Sequence, residues 1–203
     1  MALPPSRDAF LRRIGRELGA TIARMHQVQV LAACPIEGYG PARVAREASA
    51  WHEEQIAYYR DDLLRPQLEM AARNGRLSET SRHGMDRLLT RPWDYLGRVE
   101  CRPAFIHGDL HKGNVLRNAA GTLVLIDPHP LFSNRELELA YMDWVGAFSR
   151  HSPTPRGGYP SAPGRSERRD LYLLLWRLQR LKGANAHDQS SATDAIVRLY
   201  GRS

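Results

Sequence analysis

His107, Asp109, His111 and Asn114 fall within one short stretch, FIHGDLHKGNVL (105 to 116), and Asp127 ends an apolar run eleven residues beyond Leu116. Two kinds of chemistry gather residues in this way. One is a hydrolase metal site, in which His107, His111, Asp109, Asp127 and His129 supply imidazole and carboxylate to zinc, iron or manganese. That reading needs His107 and His111, four apart, on one helix face, and Gly108 and Gly113 disfavour a helix here. The other is phosphoryl transfer. Asp109 and Asn114, separated by four residues, have the spacing of a kinase catalytic loop, H-x-D-x-x-x-x-N, and Asp127 supplies a second carboxylate at the end of a strand. Such a site works by positioning and charge neutralisation rather than covalent help. One carboxylate, Asp109, orients the acceptor hydroxyl and takes its proton. Asn114 and Asp127 offer the hard oxygens that magnesium prefers.

The elements around this cluster are mostly helical. Phe10, Ile14, Leu18, Ile22 and Met25 make an apolar stripe over 6–28 that predicts a helix. A loop is expected over 31–43, then a second helical region over 44–75 with Trp51, Ile56, Tyr59, Leu63 and Leu64 inward. Pro66 should bend or split that region, and a further helix is expected over 79–97. PAFIH reads as a strand, and NVLRN and TLVLID as a hairpin turning at AAG. A helix beginning near Asn134 carries Leu137, Ala140, Tyr141, Trp144 and Phe148 on one side. The Pro-, Gly- and Ser-rich stretch 151–166 is expected to be a flexible loop, with closing helices over 167–182 and 190–200. The fold class is therefore α+β, mostly helical, with one small β-hairpin carrying the polar cluster, in a single domain over 1–203.

Composition narrows the function classes. No apolar run approaches the roughly 20 residues needed to cross a bilayer, so no membrane partner is expected. Only Cys34 and Cys101 are present, which points to a reducing, cytoplasmic setting. The net charge is +7, yet of 29 basic residues only Lys112 and Lys182 are lysine and the arginines are spread along the chain. Dispersed charge is a poor nucleic-acid footprint. The acidic run Glu53, Glu54, Asp61 and Asp62 reads either as a contact for a substrate amino group or as a solvated helix face.

HGDLHKGN and LIDPHP resemble the signature of the aminoglycoside phosphotransferase and choline kinase superfamily, which has a protein-kinase-like fold. LIDPHPLFSNRELELAYMDWVGAF is most similar to its fructosamine (ketosamine) kinase branch, where a motif close to H-G-D-L-W-S-G-N precedes I-D-P and then R-E-x-D-L-A-M. The similarity runs from about residue 15 to 182. It implies an ATP- and magnesium-dependent phosphotransferase acting on a hydroxyl of a small molecule, such as a ketosamine, an aminoglycoside or a related sugar or antibiotic. By the same resemblance Asp109 matches the catalytic base, and Asn114 and Asp127 match the magnesium and nucleotide ligands. His111, where the branch often has tryptophan, is a phosphate or substrate contact or else an exposed loop histidine. His107 supports the loop, and Lys112 is solvated charge. Glu138 stands where the branch has aspartate, as a brace for the catalytic loop, and His26 packs in the core.

Two parts of a complete kinase have no counterpart in this reading. No lysine precedes Lys112, and the early Gly-x-Gly in EGYGPAR reads as a turn between helices rather than a phosphate cradle. The expectation is therefore the C-terminal lobe of the fold alone. It would be a truncated and weakly active kinase, a binding module, or a lobe that takes its missing half from another chain or by self-association.

Overall fold

A computed structural model describes residues 7–28, 56–91, 96, 104–146, 162–181, 193–198 and 200. The chain forms two compact units, one of Met1–Val44 with Pro103–Pro163 and the other of Ala45–Arg102 with Gly164–Ser203. The polar cluster lies wholly in the first.

That first unit is built on helix α1 (Arg7–His26). Leu18 and Ile22 are buried and Met25 partly so, as the helical spacing requires, while the Phe10 side chain lies outside the described set. Strand β1 (Ala104–Ile106) follows, then a single 3₁₀ turn (Lys112–Asn114) leading into β2 (Val115–Arg117). Strands β3 (Leu123–Leu125) and β4 (Leu131–Ser133) complete the sheets. β2 and β3 form the expected hairpin, with Val115 opposite Leu125 and Arg117 opposite Leu123. Its turn is closed by Asn118, whose side chain accepts from the Thr122 N–H at 2.9 Å. Val115, Leu123 and Leu125 point inward onto Leu18, Ile22, Leu110 and Met142, so their neighbours Leu116 and Val124 point outward and are exposed.

Helix α4 (Arg135–Trp144), named for its place in the chain, is capped by Asn134, whose side chain accepts from the Glu136 N–H. Leu137, Ala140 and Tyr141 are buried and Trp144 is partly buried, while Phe148 lies outside the described residues. Both α1 and α4 pack on β1. A second antiparallel pair, β1 with β4, sets Phe105 opposite Phe132. The sequence does not announce it, because LFS is too short to show alternation.

In the second unit a π-helical turn (Tyr59–Leu64) runs into α2 (Arg65–Arg73), the Arg65 N–H bonding to the Arg60 carbonyl five residues back. The expected break at Pro66 takes this form. A proline lacks the donor for the residue four back and its ring crowds that carbonyl, and a wider turn accommodates both. Ile56, Tyr59 and Leu64 are buried and Leu63 is half-buried, while Trp51 falls outside the described residues. Helix α3 (Glu79–Thr90) is capped by Ser78 and stops short of the expected 97. Arg91 precedes Pro92, and a residue before proline is pushed out of the helical region. Helix α5 (Arg165–Arg180) begins two residues before its expected start, after Gly164 at φ 74°. The buried Tyr59 hydroxyl donates to the Leu171 carbonyl of α5 at 2.6 Å, and burial pushes its pKa well above the usual value. The expected loop at 31–43 and residues 151–161 of the expected loop at 151–166 lie outside the described residues; 162–164 are irregular and Arg165 and Ser166 already belong to α5.

Candidate active site

The loop after β1 carries the cluster, and a buried carboxylate holds its backbone. Glu138 of α4 is fully buried, and one of its oxygens, Oε1, accepts from the His107 N–H at 2.7 Å and the Gly108 N–H at 3.1 Å. Its other oxygen, Oε2, accepts from His26 Nε2 at 2.7 Å, also buried, at the C-terminal end of α1. The glutamate expected to brace the loop does so, and the extra methylene over aspartate is matched by a partner on a different helix. His26 packs in the core as expected, but as a hydrogen-bond donor to this brace rather than as apolar filling. A carboxylate buried this deeply is tolerated because each oxygen has donors.

His107 is buried with both ring nitrogens engaged. Its Nδ1 accepts from the Asp109 N–H at 3.3 Å, and Nε2 therefore carries the proton donated to the Ile126 carbonyl at 2.9 Å. Neither nitrogen is open to a metal, so the hydrolase alternative loses the histidine it most needs. Among the described residues no group of three His, Cys, Asp or Glu is arranged to hold a metal ion. His107 is instead the staple between the loop and the strand that delivers Asp127, and its carbonyl accepts from the His129 N–H at 2.8 Å. That close approach explains Gly108, which sits at φ 80°. A Cβ there would lie 2.0 Å from the His129 carbonyl oxygen.

The Asp109 carboxylate is about a third exposed, at 30%. Tyr141 of α4 donates its hydroxyl to Oδ1 at 2.5 Å, while Oδ2 lies 3.8 Å from His111 Nε2. The Asp109 carbonyl accepts from the Asn114 side-chain Nδ2 at 2.9 Å. A carbonyl can take only the NH₂ end of an amide, so the Asn114 Oδ1 is turned away from that bond and makes none to a described residue. His111 caps the 3₁₀ turn, its Nδ1 accepting from the Gly113 N–H at 3.0 Å. The ring lies so close over Gly113 that a Cβ there would meet it at 2.8 Å. The proton of a neutral His111 is thus on Nε2, facing Asp109.

Asp127 is reached through the Ile126 N–H, which bonds to the Asn114 carbonyl at 3.1 Å. The two residues expected to share a cation are therefore brought together by the continuation of one hairpin ladder. Asp127 is exposed and has φ 56°, which no other described non-glycine residue shares. Aspartate tolerates this region better than most residues, and strain of this kind gathers at functional sites.

Of the acidic run, Glu53 and Glu54 lie outside the described residues. Asp61 is engaged by its own neighbours. Arg60 bonds to both its oxygens at 2.8 and 2.5 Å, and Arg65 adds bonds at 3.3 and 3.0 Å. The Arg60 hydrogen bonds, helped by Arg65, lower its pKa to about 2. That is the solvated-face reading, at least for Asp61. Tyr141 is the site residue that sequence reasoning missed. It falls in the apolar stripe of its helix, although its position three after Glu138 puts both on one helical face.

The family model of fructosamine kinase matches residues 9–201. Among curated proteins, the chain is 29% identical over 184 residues to "Probable ketoamine kinase" of Lactiplantibacillus plantarum, covering 90% of this chain and 65% of that protein. It is 28% identical over 185 residues to the chloroplastic protein-ribulosamine 3-kinase of Oryza sativa subsp. indica, covering 88% of this chain and 52% of that protein. The chain thus spans between half and two thirds of the length of these relatives. Among solved structures, the "putative fructosamine-3-kinase" of Thermobifida fusca superposes with a TM-score of 0.68 at 23% identity, over 100% of this chain and 68% of that one. That of Haemophilus somnus gives 0.67 at 16%, over 98% and 66%. The shared fold is the mostly helical, kinase-like one with its small antiparallel hairpin. With nearly the whole chain matched, it belongs to the fructosamine kinase family.

Proposed function

We propose that the chain carries the acceptor and metal half of an ATP-dependent phosphotransferase whose substrate is a hydroxyl on a ketosamine sugar. Asp109 is the general base, and its carboxylate is held at a solvent-facing position by a loop whose backbone cannot shift without breaking its bonds to Glu138. The observation that carries the reading is the orientation of Asn114. Its amide nitrogen is committed to the Asp109 carbonyl, which leaves an oxygen for a hard cation on a residue coupled directly to the base. With the Asp127 carboxylate one residue beyond the Asn114–Ile126 bond, the donor set is all oxygen and suits magnesium. When bound, magnesium would neutralise the charge of the nucleotide phosphates. Ahead of Asp127, the exposed Leu116, Val124 and Ile126 give an apolar strip for the flat nucleotide base. His111 contributes its Nε2–H beside Asp109. The names of the relatives, which act on ketoamine or ribulosamine, support a sugar amine adduct as the acceptor class.

No helix among the described residues is long and apolar enough to cross a membrane. A cytoplasmic setting is proposed separately, on the two cysteines of the composition. The metal role is tested by nucleotide binding. Magnesium should tighten binding of ATP to the wild-type chain, and Asp127→Ala should remove that dependence while lowering stability by no more than about 1–2 kcal/mol, the cost of alanine in the left-handed region. Equal magnesium dependence in both proteins would refute the assignment.

A further inference from the structure

We infer that Tyr141 is a positioning residue for this transfer, holding one oxygen of the Asp109 carboxylate so that the other, Oδ2, faces the acceptor hydroxyl. The inference rests on Asp109 being the base. Tyr141 is buried, with its ring edge-on to Trp144 at a centroid distance of 6.1 Å, and its hydroxyl donates to Asp109 Oδ1 at 2.5 Å. The tyrosine side chain has only two torsions, and packing fixes both, so the hydroxyl is a rigid point. One helix therefore governs the base twice. Through Glu138 it fixes the loop backbone, and one turn on, through Tyr141, it fixes the carboxylate plane.

Without the Tyr141 hydroxyl neither carboxylate oxygen accepts a hydrogen bond from a described residue, and only the nearby His111 ring distinguishes the two. Oδ2 accepts no hydrogen bond from a described residue and lies 3.8 Å from His111 Nε2. A hydroxyl oxygen placed at hydrogen-bond distance from Oδ2 on its His111 side is then also within reach of the His111 Nε2–H. In the transfer the acceptor O–H proton passes to Oδ2 as the acceptor oxygen bonds to the γ-phosphorus. The bond from that phosphorus to the β,γ-bridging oxygen breaks, and ADP leaves with its electron pair.

The experiment compares wild type with Tyr141→Phe, which deletes only the hydroxyl. Single-turnover transfer from labelled ATP with magnesium, protein in excess, is measured against a panel of ketosamines, since this format resolves a slow chemical step. The rate at saturation should fall about tenfold in Tyr141→Phe, the size expected for one charge-assisted hydrogen bond. Half-saturating ATP and acceptor concentrations should change less than about twofold, because Tyr141 touches neither. In parallel, proton NMR should show a low-field hydroxyl resonance that is absent in both Tyr141→Phe and Asp109→Ala. An active wild type with an unchanged rate in Tyr141→Phe, or a loss confined to half-saturation, overturns the positioning role alone. Absence of transfer by wild type on every acceptor, both alone and with a nucleotide-binding lobe fused ahead of it, instead overturns the phosphotransfer reading beneath it. Absence of the low-field resonance in wild type removes the hydrogen bond and the inference with it, whatever the activity.

Discussion

Gly108 is the residue on which the site geometry is least forgiving. Its φ is 80°, and a Cβ at this position would fall 2.0 Å from the His129 carbonyl oxygen, which leaves no room for alanine. Gly108→Ala should cost at least about 2–3 kcal/mol from the left-handed backbone and the forced shift together. Thermal denaturation should show the lowered midpoint. Asp61 gives a prediction on pH. Its carboxyl titrates at about 2 instead of 3.8, so its pairing with Arg60 and Arg65 is fully in place above about pH 4 and lost as pH falls through about 2. Carboxyl-carbon NMR should find that low midpoint, which should return toward the ordinary value in Arg60→Gln. At this scale the sequence is informative where chemistry fixes spacing. That Asp109, Asn114 and Asp127 lie on one loop and its hairpin is legible in their spacing, and the roles of base and cation ligand remain as proposed. Tyr141 and His26 are not legible, because an aromatic or histidine on an apolar helix stripe has the same pattern whether it fills the core or donates to a carboxylate.

Helices α1 and α4 meet the loop after β1 through Glu138 and His26, and their energetic role follows from burial. Glu138→Ala would leave three buried donors, the His107 and Gly108 N–H groups and His26 Nε2, without their acceptor. Each orphaned donor costs about 1–3 kcal/mol, so the variant should be destabilised by about 3–9 kcal/mol or fail to fold. His26→Ala removes one donor and some packing while the two backbone bonds remain, and should be milder, about 2–3 kcal/mol. Urea denaturation of both variants ranks them, and a larger loss for His26→Ala would contradict the brace. The helices are legible from apolar periodicity and the hairpin from alternation and a glycine turn. Strand β4 is hidden because its pairing with β1 spans twenty-odd residues, and three residues carry no period of their own. The end of α3 is readable in principle from Pro92, whose effect on the preceding residue ends the helix.

For the chain as a whole, family and fold are settled by similarity over most of its length, while the proposed phosphotransfer turns on what residues 104–141 do with a nucleotide. No lysine precedes Lys112, so residues 1–111 offer no side-chain ammonium group to hold the phosphates. Since a misplacement of about 1 Å costs on the order of 10²-fold, transfer by these 203 residues should be slow, and faster when a nucleotide-binding lobe from a relative is fused ahead of them. The measurement that bears most directly on the account is phosphate transfer from labelled magnesium ATP to a panel of ketosamines and aminoglycosides, by wild type and by Asp109→Asn, each with and without the added lobe. The account predicts transfer to a ketosamine hydroxyl that falls at least about 10²-fold in Asp109→Asn while ATP binding persists. Transfer at the same rate in Asp109→Asn, or none by wild type in either form, would contradict it.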